Sequence, residues 1–227
     1  MEIKTIGIIG GTGRQGSGLA LRLAKKDRKI IIGSRSEEKA ISAATIIKDK
    51  LGDEYEIIGA NNFRAASLAN ILILCVPIQA QTNILKRIFK TFTTNKILID
   101  VTVPLETSIG GKPDTLIRLW QGSAAQRVAS LVPNTIEVVS AFQTLSASAL
   151  HNLSKSVDSD VIVCSDSDSA RETVMVLAKE IDGVRALDGG ALSNSSIVEA
   201  ITPLLIHLNM RYKVNDAGVR ISGISTQ

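Results

Sequence analysis

The chain has 227 residues, 44% of them hydrophobic but only 3% aromatic, so a sizeable core must be built from aliphatic side chains, as in parallel sheets covered by helices. Its formal net charge is +4, with 26 Lys and Arg interleaved among 22 Asp and Glu, and no basic, aromatic-rich stripe marks a nucleic-acid surface. Two cysteines inside apolar runs (Cys75 and Cys164), two histidines, no signal-peptide pattern and no bilayer-length apolar stretch lead us to expect a cytoplasmic protein with no disulfide framework, no metal site, and no membrane or nucleic-acid partner.

Ile6–Ile9 reads as a buried strand, residues 14–26 as a helix, and Lys29–Ile32 as a second strand. Ser36 is a candidate N-cap for a helix over 36–51. Ile57-Ile58 marks a short third strand. "ILILCV" (71–76), ended by Pro77, is a fourth, followed by a helix around 80–90. "KILIDV" (96–101), "IEVVSAF" (136–142) and an intervening helix over 121–131 complete a strand–helix alternation, which predicts a parallel sheet with right-handed crossovers. After residue 143 the rhythm changes. A strand at 160–165, a helix at 168–182, a strand at 184–188 and a long apolar helix at 193–212 carrying Pro203 read as a small lobe. The expected architecture is α/β: a Rossmann-type, doubly wound parallel sheet over residues 1–142, with a small C-terminal α/β lobe over 143–227 on the acceptor and dimerisation side.

The most informative stretch joins the first strand to the first helix. Gly11, Thr12, Gly13, Arg14, Gln15 and Gly16 fit G-x-G-x-x-G at the place where a dinucleotide-binding turn belongs. Gly11 would permit the tight turn, Gly13 would let backbone N–H groups approach a pyrophosphate, and Gly16 would let helix pack on strand. The second strand then ends in Ser34 and Arg35, with Lys39 one helical turn on, where an NAD site usually carries a carboxylate for the ribose 2′-hydroxyl. A guanidinium, a hydroxyl and an ammonium suit a 2′-phosphate instead, so NADP is the expected cofactor.

No His, Lys or Tyr proton donor with a partner stands at a predicted strand end, so no catalytic acid–base residue is assigned. Hydride exchange between nicotinamide and a flavin-like ring needs alignment more than proton transfer, and an apolar slot that stacks two rings would serve it.

Taken together, "IGGTGRQGSGLALRLA", "IIIGSRSEEKA", "VVSAF", "VIVCSDS" and "GGALSNSSIVEAITPLL" resemble the F420-dependent NADP reductases, over nearly the whole chain from residue 6 to about 212. These enzymes exchange hydride between NADPH and coenzyme F420, a 5-deazaflavin. The architecture also resembles the NADPH-binding domain of the STEAP ferric reductases, which pass hydride to a flavin. The resemblance implies a homodimer with NADP contacts at Gly11, Thr12 and Gly13, then Ser34, Arg35 and Lys39. It implies that Val76, Pro77 and Val103 flank the nicotinamide, and that the stretch from Ala141 to Ala147 approaches its carboxamide and the acceptor. It also implies an acceptor pocket at Gln143, Ser196, Ala200 and Thr202. The archaeal pattern has His, Arg and Ser at the first three of those positions and keeps the Thr. These departures leave two other readings: a flavin or ferric-type reductase, and an NADP-binding regulator without turnover.

Overall fold

The computed structural model describes residues 5–25, 27–94 and 96–224. The expected helical end at residue 26 and the last residues of the small lobe, 225–227, lie outside them.

Six strands form one parallel sheet: β1 (Thr5–Ile9), β2 (Lys29–Ser34), β3 (Glu56–Asn61), β4 (Ile71–Leu74), β5 (Ile97–Asp100) and β6 (Glu137–Ser140), in the order β3-β2-β1-β4-β5-β6. The order reverses between β1 and β4, so their carboxyl ends diverge and leave a crevice there. Alternation along each apolar run divides the side chains between two faces. Ile6, Ile8, Ile30, Ile32, Ile71, Ile73, Ile97 and Ile99 pack on one face under α1 (Arg14–Leu23) and α2 (Glu37–Leu51). Ile9, Ile31, Leu72, Leu74 and Leu98 pack on the other under α3 (Asn62–Leu68), α4 (Gln81–Ile88) and α5 (Ala124–Ala129). An all-aliphatic strand such as "ILIL" is thus buried on both sides.

Ser36 caps α2 as expected, its Oγ accepting from the Lys39 N–H at 3.3 Å. The helix α3 was not expected from "NNFRAASL". It is seven residues long and is fixed by Asn61, whose Oδ1 accepts from the Arg64 N–H at 2.9 Å. The helix expected over 121–131 contracts to α5, started by Ser123. Residues 75–76, 101 and 141–142, expected as strand ends, lie beyond the strands.

The short helix α6 (Ala147–His151), also unexpected, docks on α1. Arg22 of α1 donates to the carbonyls of Ala149, Leu150, Asn152 and Lys155. Then β7 (Ser159–Val163) and β8 (Val184–Asp188) form a two-stranded parallel sheet, with α7 (Asp168–Lys179) between them. An antiparallel bridge from Ser140 to Cys164 joins this pair to the end of β6. Val161, Val163, Val174 and Leu177 belong to the same apolar cluster as Ile6 and Ile71, so the small lobe shares its core with the main sheet. The last helix, α8 (Ser195–Tyr212), carries Pro203 inside it and ends on Lys213 in the left-handed region, φ 54°.

Candidate functional site

At the carboxyl ends of β1, β2 and β4 lies a cavity of about 780 Å³, lined by Gly10, Thr12, Gly13, Ser34, Arg35, Lys39, Asn62, Val76 and Pro77 among others. The left-handed residue of the glycine turn is Gly10, φ 76°. A Cβ on Gly10 would stand 2.6 Å from the Cys75 carbonyl oxygen. Gly11 is instead needed for close packing, since its Cβ would meet the Ile8 carbonyl oxygen at 2.8 Å, and one on Gly16 would meet Gly11 Cα at 2.7 Å. At Gly13 a Cβ would meet only the Gly10 carbonyl oxygen, at 3.6 Å. That position faces open space and is the N-cap of α1, with no side chain capping the first turn. Free N–H groups and the positive end of the helix dipole there suit an anion.

Ser34 is buried, and its Oγ accepts from the Ser36 N–H at 3.3 Å. Arg35 and Lys39 are exposed, and among the described residues neither is ion-paired, so two cations at the end of β2 await a counter-charge. Asn62 was missed by the sequence reading. Its Oδ1 accepts from the Gly10 N–H at 3.3 Å and ties the glycine turn to α3, while a second cavity of about 140 Å³ continues past Arg35 to Phe63, Ile84 and Arg87. Only the unexpected helix brings Asn62 there.

On the other side of the turn is a cavity of about 520 Å³, lined by Arg14, Gln15, Val101, Val103, Gln143, Ala147, Thr202 and Val214 among others. Its polar lining is chiefly amide and hydroxyl, and its rear wall is aliphatic. Gln15 Nε2 donates to the Phe142 carbonyl at 3.2 Å, and Phe142 sits fully buried in the left-handed region, φ 69°. Such a conformation in a bulky residue costs on the order of 1–3 kcal/mol and persists where the surroundings enforce it. The strain turns the chain after β6 so that Gln143 and Ala147 reach this cavity. Ala141 does not reach it: it is fully buried, with its N–H on the Asp100 carbonyl at 3.3 Å.

A model of the family described as "NADP oxidoreductase coenzyme F420-dependent" matches residues 5–104. The F420-dependent NADP reductase of Methanothermobacter thermautotrophicus is 46% identical, over 99% of this chain and 97% of its own. That of Methanocaldococcus jannaschii is also 46% identical, over 96% and 98%. The chain belongs to the F420-dependent NADP reductase family. A crystal structure described as a putative F420-dependent NADP reductase from Arthrobacter sp. FB24 shares the fold, with a TM-score of 0.81 at 21% identity over 97% of this chain and all of that one. Human metalloreductase STEAP2 is 27% identical over 86% of this chain, which spans 35% of that protein.

Of the four positions that the F420-dependent NADP reductase pattern suggests for an acceptor pocket, the fold brings two together. Gln143 and Thr202 line the 520 Å³ cavity, and Thr202 Oγ1 donates to the Gln143 carbonyl at 3.0 Å. Ser196 and Ala200 do not join them. At 100° per residue, Ala200 lies about 200° around α8 from Thr202. Its side chain is exposed, and Ser196 Oγ turns back to the Ser193 carbonyl.

Beneath the two cavities lies a buried polar network that the sequence reading did not find. Gln81 Nε2 donates to Asp100 Oδ1 at 3.1 Å and to Thr102 Oγ1 at 3.0 Å, while Arg127 donates to Gln81 Oε1 at 2.7 Å. Thr102 Oγ1 donates to Asp100 Oδ1 at 2.7 Å. Gln143 Nε2 donates to the Asp100 carbonyl and to Ser140 Oγ. Burial pushes the Asp100 carboxyl up to about 7, against the bonds from Thr102 and Gln81. Glu199 on α8 accepts from the N–H groups of Ala124 and Ala125, yet burial lifts it to about 8. Burial also raises both thiols: Cys75 lies well above the usual thiol range and Cys164 is at about 11, so neither is a thiolate at neutral pH. His151 Nε2 contacts the Arg14 carbonyl at 3.0 Å and Ser17 Oγ at 3.2 Å on α1, and His207 pairs with Asp114 at 3.0 Å.

Proposed function

We propose that this chain exchanges hydride between NADPH and coenzyme F420, with the two rings meeting where the cavities adjoin at Thr12–Gln15. One observation carries the reading: an open, cationic cradle at the ends of β1 and β2 adjoins a cleft lined by aliphatic, amide and hydroxyl groups together with Arg14. When bound, the reduced nicotinamide would supply the hydride and the deazaflavin would take it. The backbone from Gly10 to Gly13, with Thr12, Arg14 and the start of α1, would hold the pyrophosphate, while Gly11 and Gly16 keep the turn close to the strand. Ser34, Arg35 and Lys39 would hold the 2′-phosphate. Val76, Pro77 and Val103 would form the floor under the nicotinamide and exclude water from it, with Ala141 behind them and Ala147 at the rim. Gln143 and Thr202 would face the acceptor. Catalysis then rests on proximity and orientation, with no residue assigned to move a proton.

The stretch from residue 143 onward would act as the acceptor-side lobe. Homodimerisation is supported by the outer face of α8, where Ile197 and Leu204 are 68% and 56% exposed and Ile201 lies between them. Two free cysteines suit a reducing cytoplasm.

Anaerobic stopped-flow mixing of protein and NADPH with F420, FMN, FAD and a pterin in turn tests the assignment. F420 should be reduced fastest. Turnover of FMN or FAD with F420 ignored would favour the flavin or ferric-type reading. Tight NADPH binding without oxidation by any acceptor would favour the regulator.

A further inference from the structure

We propose that the strap from Val214 to Ile221, latched onto Asp160, forms the outer wall of the acceptor cleft and determines which ring-type acceptor it takes. The inference rests on the reading that the 520 Å³ cavity is the acceptor site. Val214, Asn215 and Ala217 line that cavity together with Gln143 and Val103. Beyond Lys213 the chain forms no helix or strand up to residue 224, so no periodic backbone pairing holds it in place.

Long-range bonds hold it instead. Ser146 Oγ donates to the Asn215 carbonyl at 2.7 Å, and the Ala217 N–H donates to Asn209 Oδ1 at 3.1 Å. The Val219 carbonyl accepts from the Asp160 N–H at 2.6 Å, and the Val219 N–H donates to Ser159 Oγ at 3.2 Å. The Ile221 N–H then donates to Asp160 Oδ2 at 2.6 Å, and Arg220 Nη1 to Asp160 Oδ1 at 2.9 Å. The Asp160 carboxylate is fully buried and also takes a two-pronged contact from Arg185, at 2.7 and 2.6 Å, whose guanidinium reaches on to the Ile221 carbonyl. A carboxylate sunk from solvent and satisfied by two guanidiniums and a backbone N–H is a rigid anchor. Burial would raise Asp160, but the bonds from Arg185, Ile221 and Arg220 hold it at about 2, so the latch stays charged through the neutral range.

The anchoring charge lies on β7, while the wall it secures faces the cleft. The strap presents a small Ala and an amide, which leaves depth for a planar tricyclic ring beside Gln143. With the strap loosened, the cleft opens toward solvent, grips the deazaflavin less well, and admits bulkier flavin nucleotides.

Two variants test this without stripping Asp160 of its partners. Ala217→Leu adds bulk to the wall. Arg220→Ala removes the strap's side-chain bonds to Asp160, Asp158 and the Gly183 carbonyl, while Arg185 remains on Asp160. Steady-state KM for F420 and for NADPH, the ratio of FMN to F420 turnover, and far-UV circular dichroism are measured for each. Ala217→Leu should raise the F420 KM about tenfold or more, with the NADPH KM unchanged within about twofold. Arg220→Ala should raise the F420 KM and the FMN:F420 ratio severalfold at native circular dichroism. Unaltered F420 KM and acceptor ratio in both folded variants would overturn the proposal, as would equal shifts in both KM values. Wild-type protein that ignores F420 would instead refute the functional reading on which it rests.

Discussion

Arg35 carries the sharpest test of coenzyme choice. It stands at the end of β2 beside Ser34, with Lys39 one turn into α2, and neither cation has an acidic partner among the described residues. A hydrogen bond to a charged group contributes about 1.5–3 kcal/mol. Because Arg35 is exposed and Lys39 remains to hold part of the charge, the lower half of that range applies, about 2 kcal/mol. At 1.4 kcal/mol per decade, Arg35→Ala should weaken NADPH binding about 30-fold. NADH, which lacks the phosphate, should lose less than about twofold. Titration calorimetry at low and high salt provides the assay, and the difference between coenzymes should shrink as salt screens the pair. Equal losses for NADPH and NADH, or no loss for either, would refute the 2′-phosphate assignment.

The glycines separate fold from binding. Gly10→Ala puts a Cβ in a left-handed residue and 2.6 Å from the Cys75 carbonyl oxygen, so it should lower stability by about 2 kcal/mol or more in denaturant titrations. A Cβ on Gly13 meets nothing closer than 3.6 Å, so Gly13→Ala should leave stability nearly unchanged while both coenzymes lose binding; retained affinity would remove the pyrophosphate from this turn. Stability should also fall as pH rises. Asp100 and Glu199 are lifted to about 7 and about 8, above their ordinary values of 3.8 and 4.5, so the folded state binds the extra protons. Their contribution is fully present below about pH 4 and is lost as pH rises through about 7–8. Scanning calorimetry should therefore give a higher Tm near pH 5 than near pH 9, with the difference reduced in Asp100→Asn and Glu199→Gln; a flat profile in the wild type would contradict it.

Much of the nucleotide half was legible because its signals are local. Apolar runs punctuated by glycine and proline report strand period and strand end. Ser36 before an acidic first turn reports a helix start. The Gly11–Gly16 spacing after a strand reports an anion cradle, and Arg35 replaces the carboxylate that a 2′-hydroxyl would want. Where the signal was too short, local rules failed: α3 spans only seven residues and shows no period. Family pattern alone placed Ser196 and Ala200 with Thr202, although helix geometry points Ala200 away from the cleft that Thr202 lines.

The amino-acid order by itself determined the strands, their two buried faces, the phosphate-ready turn and the cations beyond β2, since each depends on residues within a few positions of one another. Only the tertiary structure decided the acceptor side, the strand order, and the tie between the glycine turn and α3. Gln143 against Asp100, Asn62 against Gly10, Glu199 against the start of α5, and the strap against Asp160 join residues 43 to 75 positions apart. Such contacts are fixed by how the sheet's crossovers and the final helix bring distant backbone together, and no local periodicity encodes that arrangement.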